Sequence, residues 1–146
     1  MSNLVFVLIL SPLLVWISIF DSREFRIPDR AIVIGLLIVS TMAIVGWLNP
    51  WLSFLGIIFA LAQTGLVRLL VPSGFGLGDV KLAIVIGAFL GPVSWLIIGL
   101  TASILAIIAL IPSMIHGRVS ANERIPLAPF ISCSALIIGI ITGKQL

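Results

Sequence analysis

Between residues 80 and 111 the chain carries one charged side chain, Lys81, in a stretch otherwise made of apolar residues with a few Gly, Pro, Ser and Thr. A helix bathed in water hides one face and shows the other, so polar residues recur with a period near 3.6. A stretch this long without that recurrence calls for a solvent that is itself apolar. One crossing of a bilayer core takes ~20 residues at 1.5 Å each. The stretch is therefore too long for one span. Gly91-Pro92 is the break, because Pro removes a backbone donor and restricts the residue before it.

The rest of the chain repeats the pattern. Charge, Pro and Gly divide it into apolar segments at 4–20, 31–47 (ended by Asn49-Pro50), 51–70, 79–90, 93–111 and 127–142. Only 9% of residues are charged and 61% are apolar, whereas a water-soluble domain is roughly a quarter charged. The expectation is an all-α, polytopic bundle of about six transmembrane helices forming one domain, 1–146, with membrane lipid as its main solvent. The first segment has its charges after it, in Asp21, Arg23, Glu24 and Arg26, rather than before it. That order fits a retained span and not a cleaved signal. The formal charge of +3 is spread over short links; no basic cluster is present to grip a nucleic acid. With Cys133 alone, neither a disulfide framework nor a cysteine-based zinc site is available within the chain.

With six spans, the links after the first, third and fifth segments lie on one side. They hold Arg23, Arg26, Arg30, Arg68, Lys81, Arg118 and Arg124, against Lys144 on the other side. The positive-inside rule places these links in the cytoplasm. All five acids (Asp21, Glu24, Asp29, Asp79 and Glu123) fall on that same side. Polar chemistry is expected at that face.

The inventory for such chemistry is short. Serines in the apolar segments lack a His or Lys at a spacing that would activate them, and Ser there usually bonds its own helix. His116 belongs to a link and Cys133 to an apolar span, where Cys behaves as a small hydrophobe. Trp16, Trp47, Trp51 and Trp95 lie near segment ends, where an interfacial anchor is expected. Glu24, Asp29 and Glu123 have Arg neighbours, and Asp29 also suits a cap on the helix beginning near Ala31. Asp21 and Asp79 differ. One closes the first apolar segment and the other opens the fourth. Ionisable groups at such positions are costly unless they face a cavity or a partner. Singly, Asp79 reads as well as a helix N-cap, and Asp21 as a boundary charge paired with an Arg. Together they suit acid–base work, because two close carboxylates share one proton. One then activates water while the other polarises a carbonyl. A helix N-terminus would favour the anion on Asp79, and a helix C-terminus would disfavour it on Asp21.

Gly74, Gly76 and Gly78 precede Asp79. They fit neither the dinucleotide nor the phosphate-loop pattern. They do allow close approach of another backbone, such as an extended peptide laid beside them.

These residues resemble a known family. Gly76-Leu77-Gly78-Asp79, with Val80-Lys81, is similar to the G-x-G-D signature of membrane aspartyl peptidases. Asp21, Arg23, Arg26 and Ile27-Pro28 resemble a segment of the type IV prepilin peptidases, and Ile125-Pro126-Leu127-Ala128-Pro129-Phe130 resembles the P-x-x-P-F stretch that opens their last span. The resemblance implies an aspartic endopeptidase of the inner (cytoplasmic) membrane that removes short basic leaders from type IV pilin-like precursors at the cytoplasmic face. It implies Asp21 and Asp79 as catalytic residues, with Gly76, Gly78 and Lys81 in support, and no metal or cofactor for the cleavage. Bifunctional members carry an extra cytoplasmic segment with Cys-x-x-Cys pairs, tied to N-methylation. This chain lacks both, so it looks like the short, peptidase-only form. The family often has Asn where this chain has Asp29.

Two other readings stand beside it. General intramembrane aspartyl peptidases of the presenilin type carry Tyr-Asp on adjacent longer spans, and this chain has no Tyr. A proton- or ion-coupled transporter subunit would use the same acids as relays, and such proteins are often built of inverted repeats. No repeat is visible here. The sequence assigns no oligomeric state.

Overall fold

The computed structural model describes residues 3–70, 76–115 and 127–142, and within them every regular element is an α-helix. In chain order these are α1 (Asn3–Glu24), α2 (Asp29–Ile44), α3 (Pro50–Leu70), α4 (Leu77–Ile115) and α5 (Ala128–Thr142). The all-α expectation holds. Gly74, His116, Arg118, Glu123, Arg124, the Ile125-Pro126 pair and Lys144 lie outside the described residues.

Local chemistry sets the ends. Phe25 takes a left-handed conformation (φ 51°) and its N–H bonds the Asp21 carbonyl at 2.9 Å, closing α1. α2 stops at Ile44, short of the expected residue 47, because Gly46 turns the chain at φ 79°. The Gly46 N–H meets the Ala43 carbonyl at 3.1 Å and the Trp47 N–H meets that of Met42 at 2.8 Å. Left-handed closure of this kind uses carbonyls a helix end would leave orphaned. Asn49 then accepts the Trp51 N–H at 3.0 Å. With Pro50 at the first helical position, this is the cap that starts α3. Asp29 does not cap α2. Pro28 occupies the N-cap, and Asp29 lies within the first turn.

α4 is two arms joined at Gly91, whose φ of 83° and ψ of 176° are non-helical. That backbone region is essentially reserved for Gly, and Pro92 starts the second arm. The contacts with α3 give the directions. A methyl group at Gly56 would overlap the Gly87 carbonyl and press on Gly91, and one at Gly99 would strike the Gln63 amide. Going from Gly56 to Gln63 thus keeps step with going from Gly91 to Gly99, so the second arm runs alongside α3 in the same direction. Were α4 straight, Leu77 would lie roughly 40 Å from the end of α3, whereas residues 71–76 reach ~20 Å at most. The chain therefore folds back at Gly91, as its Gly-Pro pair predicts.

Many large apolar side chains lie at the surface, Ile44 86% exposed and Leu69 79%, while Asp21 and Asp79 are only 6% and 8% exposed. Among the described residues, α3 over Pro50–Leu69 and α4 over Leu77–Ala109 are long and apolar enough to cross a membrane, and α5 is a shorter apolar helix. Leu14 and Ile17 of α1 and Leu82, Ile86, Phe89 and Ile98 of α4 fill the centre. Trp16, Trp47 and Trp51 face outward, as anchors would, but Trp95 is buried in the bundle and anchors nothing.

Candidate active site

Asp21 sits one turn before the end of α1, and Asp79 sits in the first turn of α4. Their positions in sequence are far apart; three sets of contacts shape the site, and the third joins the segments that carry the two acids.

The first contact reaches Asp21 from the far end of the chain. The N–H of Ala128, the first residue of α5, donates to Asp21 Oδ2 at 3.1 Å in a buried setting. A helix N-terminus leaves its first N–H groups without partners inside the helix and favours an anion beside it. Asp21 is thus not simply at the unfavourable end of α1. It also faces the favourable end of α5, which the sequence did not reveal.

The second set shapes Asp79. The Gly76 N–H donates to Asp79 Oδ2 at 3.3 Å, so this carboxylate reaches back over the start of its own helix. The capping role weighed for Asp79 is therefore present in part, with Asp79 inside the helix and not at its N-cap. A side chain on Gly76 would crowd that oxygen, its Cβ falling 3.2 Å from Asp79 Oδ2.

The third set joins the link after α1 to the start of α4. Ile27 is buried and lies against Gly78, where an added Cβ would come within 3.1 Å of two Ile27 carbons. Gly78 precedes Asp79, so the absent side chain lets the Ile27 segment close onto the base of α4. Two residues further on, Lys81 Nζ bonds Asp29 Oδ1 at 2.5 Å. Higher in the bundle Gly35 of α2 abuts Val85 of α4. Ile27, Asp29 and Gly35 thus follow Gly78, Lys81 and Val85 in order, and α2 runs alongside the first arm of α4 in the same direction.

The result is a pair of buried acids near enough for the charge of Asp21 to act on Asp79. Each has one backbone N–H donor. Two carboxyl groups that lie close do not both ionise freely, and such a pair holds one proton between them. That arrangement suits activation of a water by one carboxylate and protonation of a carbonyl by the other. Glu24 is exposed, and Asp29 is taken by Lys81. Cys133 is exposed on α5. Ser11, Ser18, Ser22 and Ser103 bond carbonyls of their own helices. Sequence reasoning missed Ile27 and the Ala128 N–H as parts of this site. Both lie in the motif stretches at 21–28 and 125–130, but nothing local says what they touch.

The model of the type IV leader peptidase family matches residues 8–111, which run from within α1 to within α4, include both acids and stop short of α5. No curated protein and no solved structure matches the chain significantly.

Proposed function

The chain belongs to the type IV leader peptidase family, and from that premise we propose that it is an aspartic endopeptidase that clips short basic leaders from pilin-like precursors. Asp21 and Asp79 are the catalytic pair in this reading. What supports it is the burial of both acids in an otherwise apolar bundle, near enough for the charge of Asp21 to act on Asp79.

In the proposed reaction one carboxylate takes a proton from water as its oxygen attacks the scissile carbonyl carbon. The other, protonated, gives its hydrogen to the carbonyl oxygen. Collapse of the tetrahedral intermediate breaks the C–N bond, and a proton passes to the departing amine. The Ala128 and Gly76 N–H groups hold the two carboxyl groups in place throughout. Each acid accepts a backbone N–H at the start of a helix, and the two exchange roles between the halves of the cycle.

We place the α1 to α5 segments, with α4 counted twice, as six spans. The end carrying Asp21, Asp79 and most Lys and Arg then faces the cytoplasm by the positive-inside rule. A basic leader would remain on that side while the apolar helix of the precursor lies in the bilayer, which presents the bond between them to the acids. The chain has one Cys and a short α1–α2 link, which supports peptidase activity without N-methylation.

Co-expression with a precursor carrying a basic leader ahead of an apolar helix tests the proposal. Mass spectrometry should find the precursor shortened by the leader, and Asp79→Asn should leave it whole. Shortening that persists undiminished in Asp79→Asn would refute the assignment.

A further inference from the structure

We propose that Lys81 and Asp29 form a clasp that positions Asp79 against Asp21, making both positioning residues of the active site. The inference rests on the peptidase reading above and adds to it two residues that do not touch the reacting atoms.

The clasp joins segments far apart in sequence. Asp29 begins α2, five residues beyond the end of α1 that carries Asp21. Lys81 lies two residues beyond Asp79 on α4. Between these points the chain from Phe25 to Pro28 is not helical, so α1 alone cannot dictate where α2 starts. Ile27 against Gly78 supplies a contact of shape, which resists compression but not separation. The 2.5 Å bond from Lys81 to Asp29 supplies the pull that keeps that contact closed. Removing it leaves the α1–α2 link and the α4 start held on this side by apolar packing alone, Ile27 against Gly78 among it.

Residues two apart on a helix do not face each other, so the Lys81–Asp29 bond grips α4 from a different side than the one carrying Asp79.

The clasp is built to be dispensable for folding. Its side chains are 46% (Lys81) and 76% (Asp29) exposed, and exposed ion pairs contribute little to stability. Positioning is far less forgiving, since small displacements of catalytic groups cost large factors in rate.

The test uses the full chain in detergent or vesicles, with kcat and KM measured on a purified precursor bearing a basic leader. Lys81→Ala and Asp29→Ala should each lower kcat about tenfold with little change in KM, and combining them should cost no more than either alone. The exchanged pair Asp29→Lys with Lys81→Asp should recover kcat to within about threefold of the parent. At 1 M salt, where screening acts over ~3 Å, the parent kcat should fall toward that of Asp29→Ala, and Asp29→Ala itself should not move. Parent-like kcat in either single variant would overturn the clasp. So would an exchanged pair no better than the singles while its unfolding temperature matches the parent. A parent protein that leaves the precursor whole, or an Asp79→Asn variant that cuts it, would instead sink the peptidase reading and is scored separately.

Discussion

The helix pair α3–α4 and the pair α1–α5 are joined in different ways, and each brings one acid to the site. In the first, backbone lies on backbone. Gly56 and Gly87 leave no room for a methyl group between the two chains, so any added atom must move a helix. In the second, side chains do the packing. Leu10, Leu14 and Ile17 of α1 and Ala128, Ile131, Ala135 and Ile138 of α5 belong to the buried core, and the Ala128 N–H on Asp21 closes the end. The acids therefore stand on two differently packed units, with α5 touching α4 as well as α1, and meet at the seam between them. The lesson is that changes inside a unit should act on stability, whereas changes at the seam should act on rate.

The largest separation of the two effects is expected at Gly78. Gly78→Val pushes Ile27 away from the base of α4 and so parts the acids without touching either. Cleavage should fall about 100-fold, and adding Ile27→Ala should restore much of it, as read by initial rates on a precursor. An unchanged rate in Gly78→Val would mean that the seam does not set the geometry. Inside the α3–α4 unit, Gly56→Ala should destabilise the protein by about 1–3 kcal/mol through overpacking, measured by denaturant unfolding in micelles. The fraction that remains folded should cut at the parent rate; a specific rate that falls in step with stability would erase the distinction between unit and seam. The smallest effect is expected at Gly65, which has nothing within 4 Å of an added Cβ although it lies in the same helix as Gly56. Gly65→Ala should stay within about 0.5 kcal/mol of the parent. A large loss there would show that the fit at Gly56 is not what makes that position sensitive.

Much of this could be read from the residues, and what could not has a physical reason. The Gly-Pro pair at 91–92 marks its reversal because Gly permits the positive φ that the turn takes and Pro removes a donor and restricts its neighbour. Asp21 and Asp79 stand out because a carboxyl at the edge of an apolar segment needs a use or a partner. Trp95 misleads for a related reason. It follows the break, as an anchor at a span end would, but the first arm of α4 is only ~21 Å long, shorter than a bilayer core of ~30 Å. The turn and Trp95 therefore sit inside the bundle. Asp29 misleads because Pro28 takes the cap that Asp29 was suited to fill, which leaves its carboxylate free to reach Lys81. The Ala128 and Ile27 contacts depend on segments distant in sequence, and no periodicity or composition encodes which of them touch.

The central claim is that Asp21 and Asp79 act as one unit, and a double-substitution cycle on precursor cleavage tests it most directly. Asp21→Asn and Asp79→Asn should each reduce kcat/KM by about 1,000-fold or more, and the double variant should be no slower than the worse single one, since groups that work together are lost together. Losses that multiply in the double variant, or a single variant that cuts at the parent rate, would contradict the account.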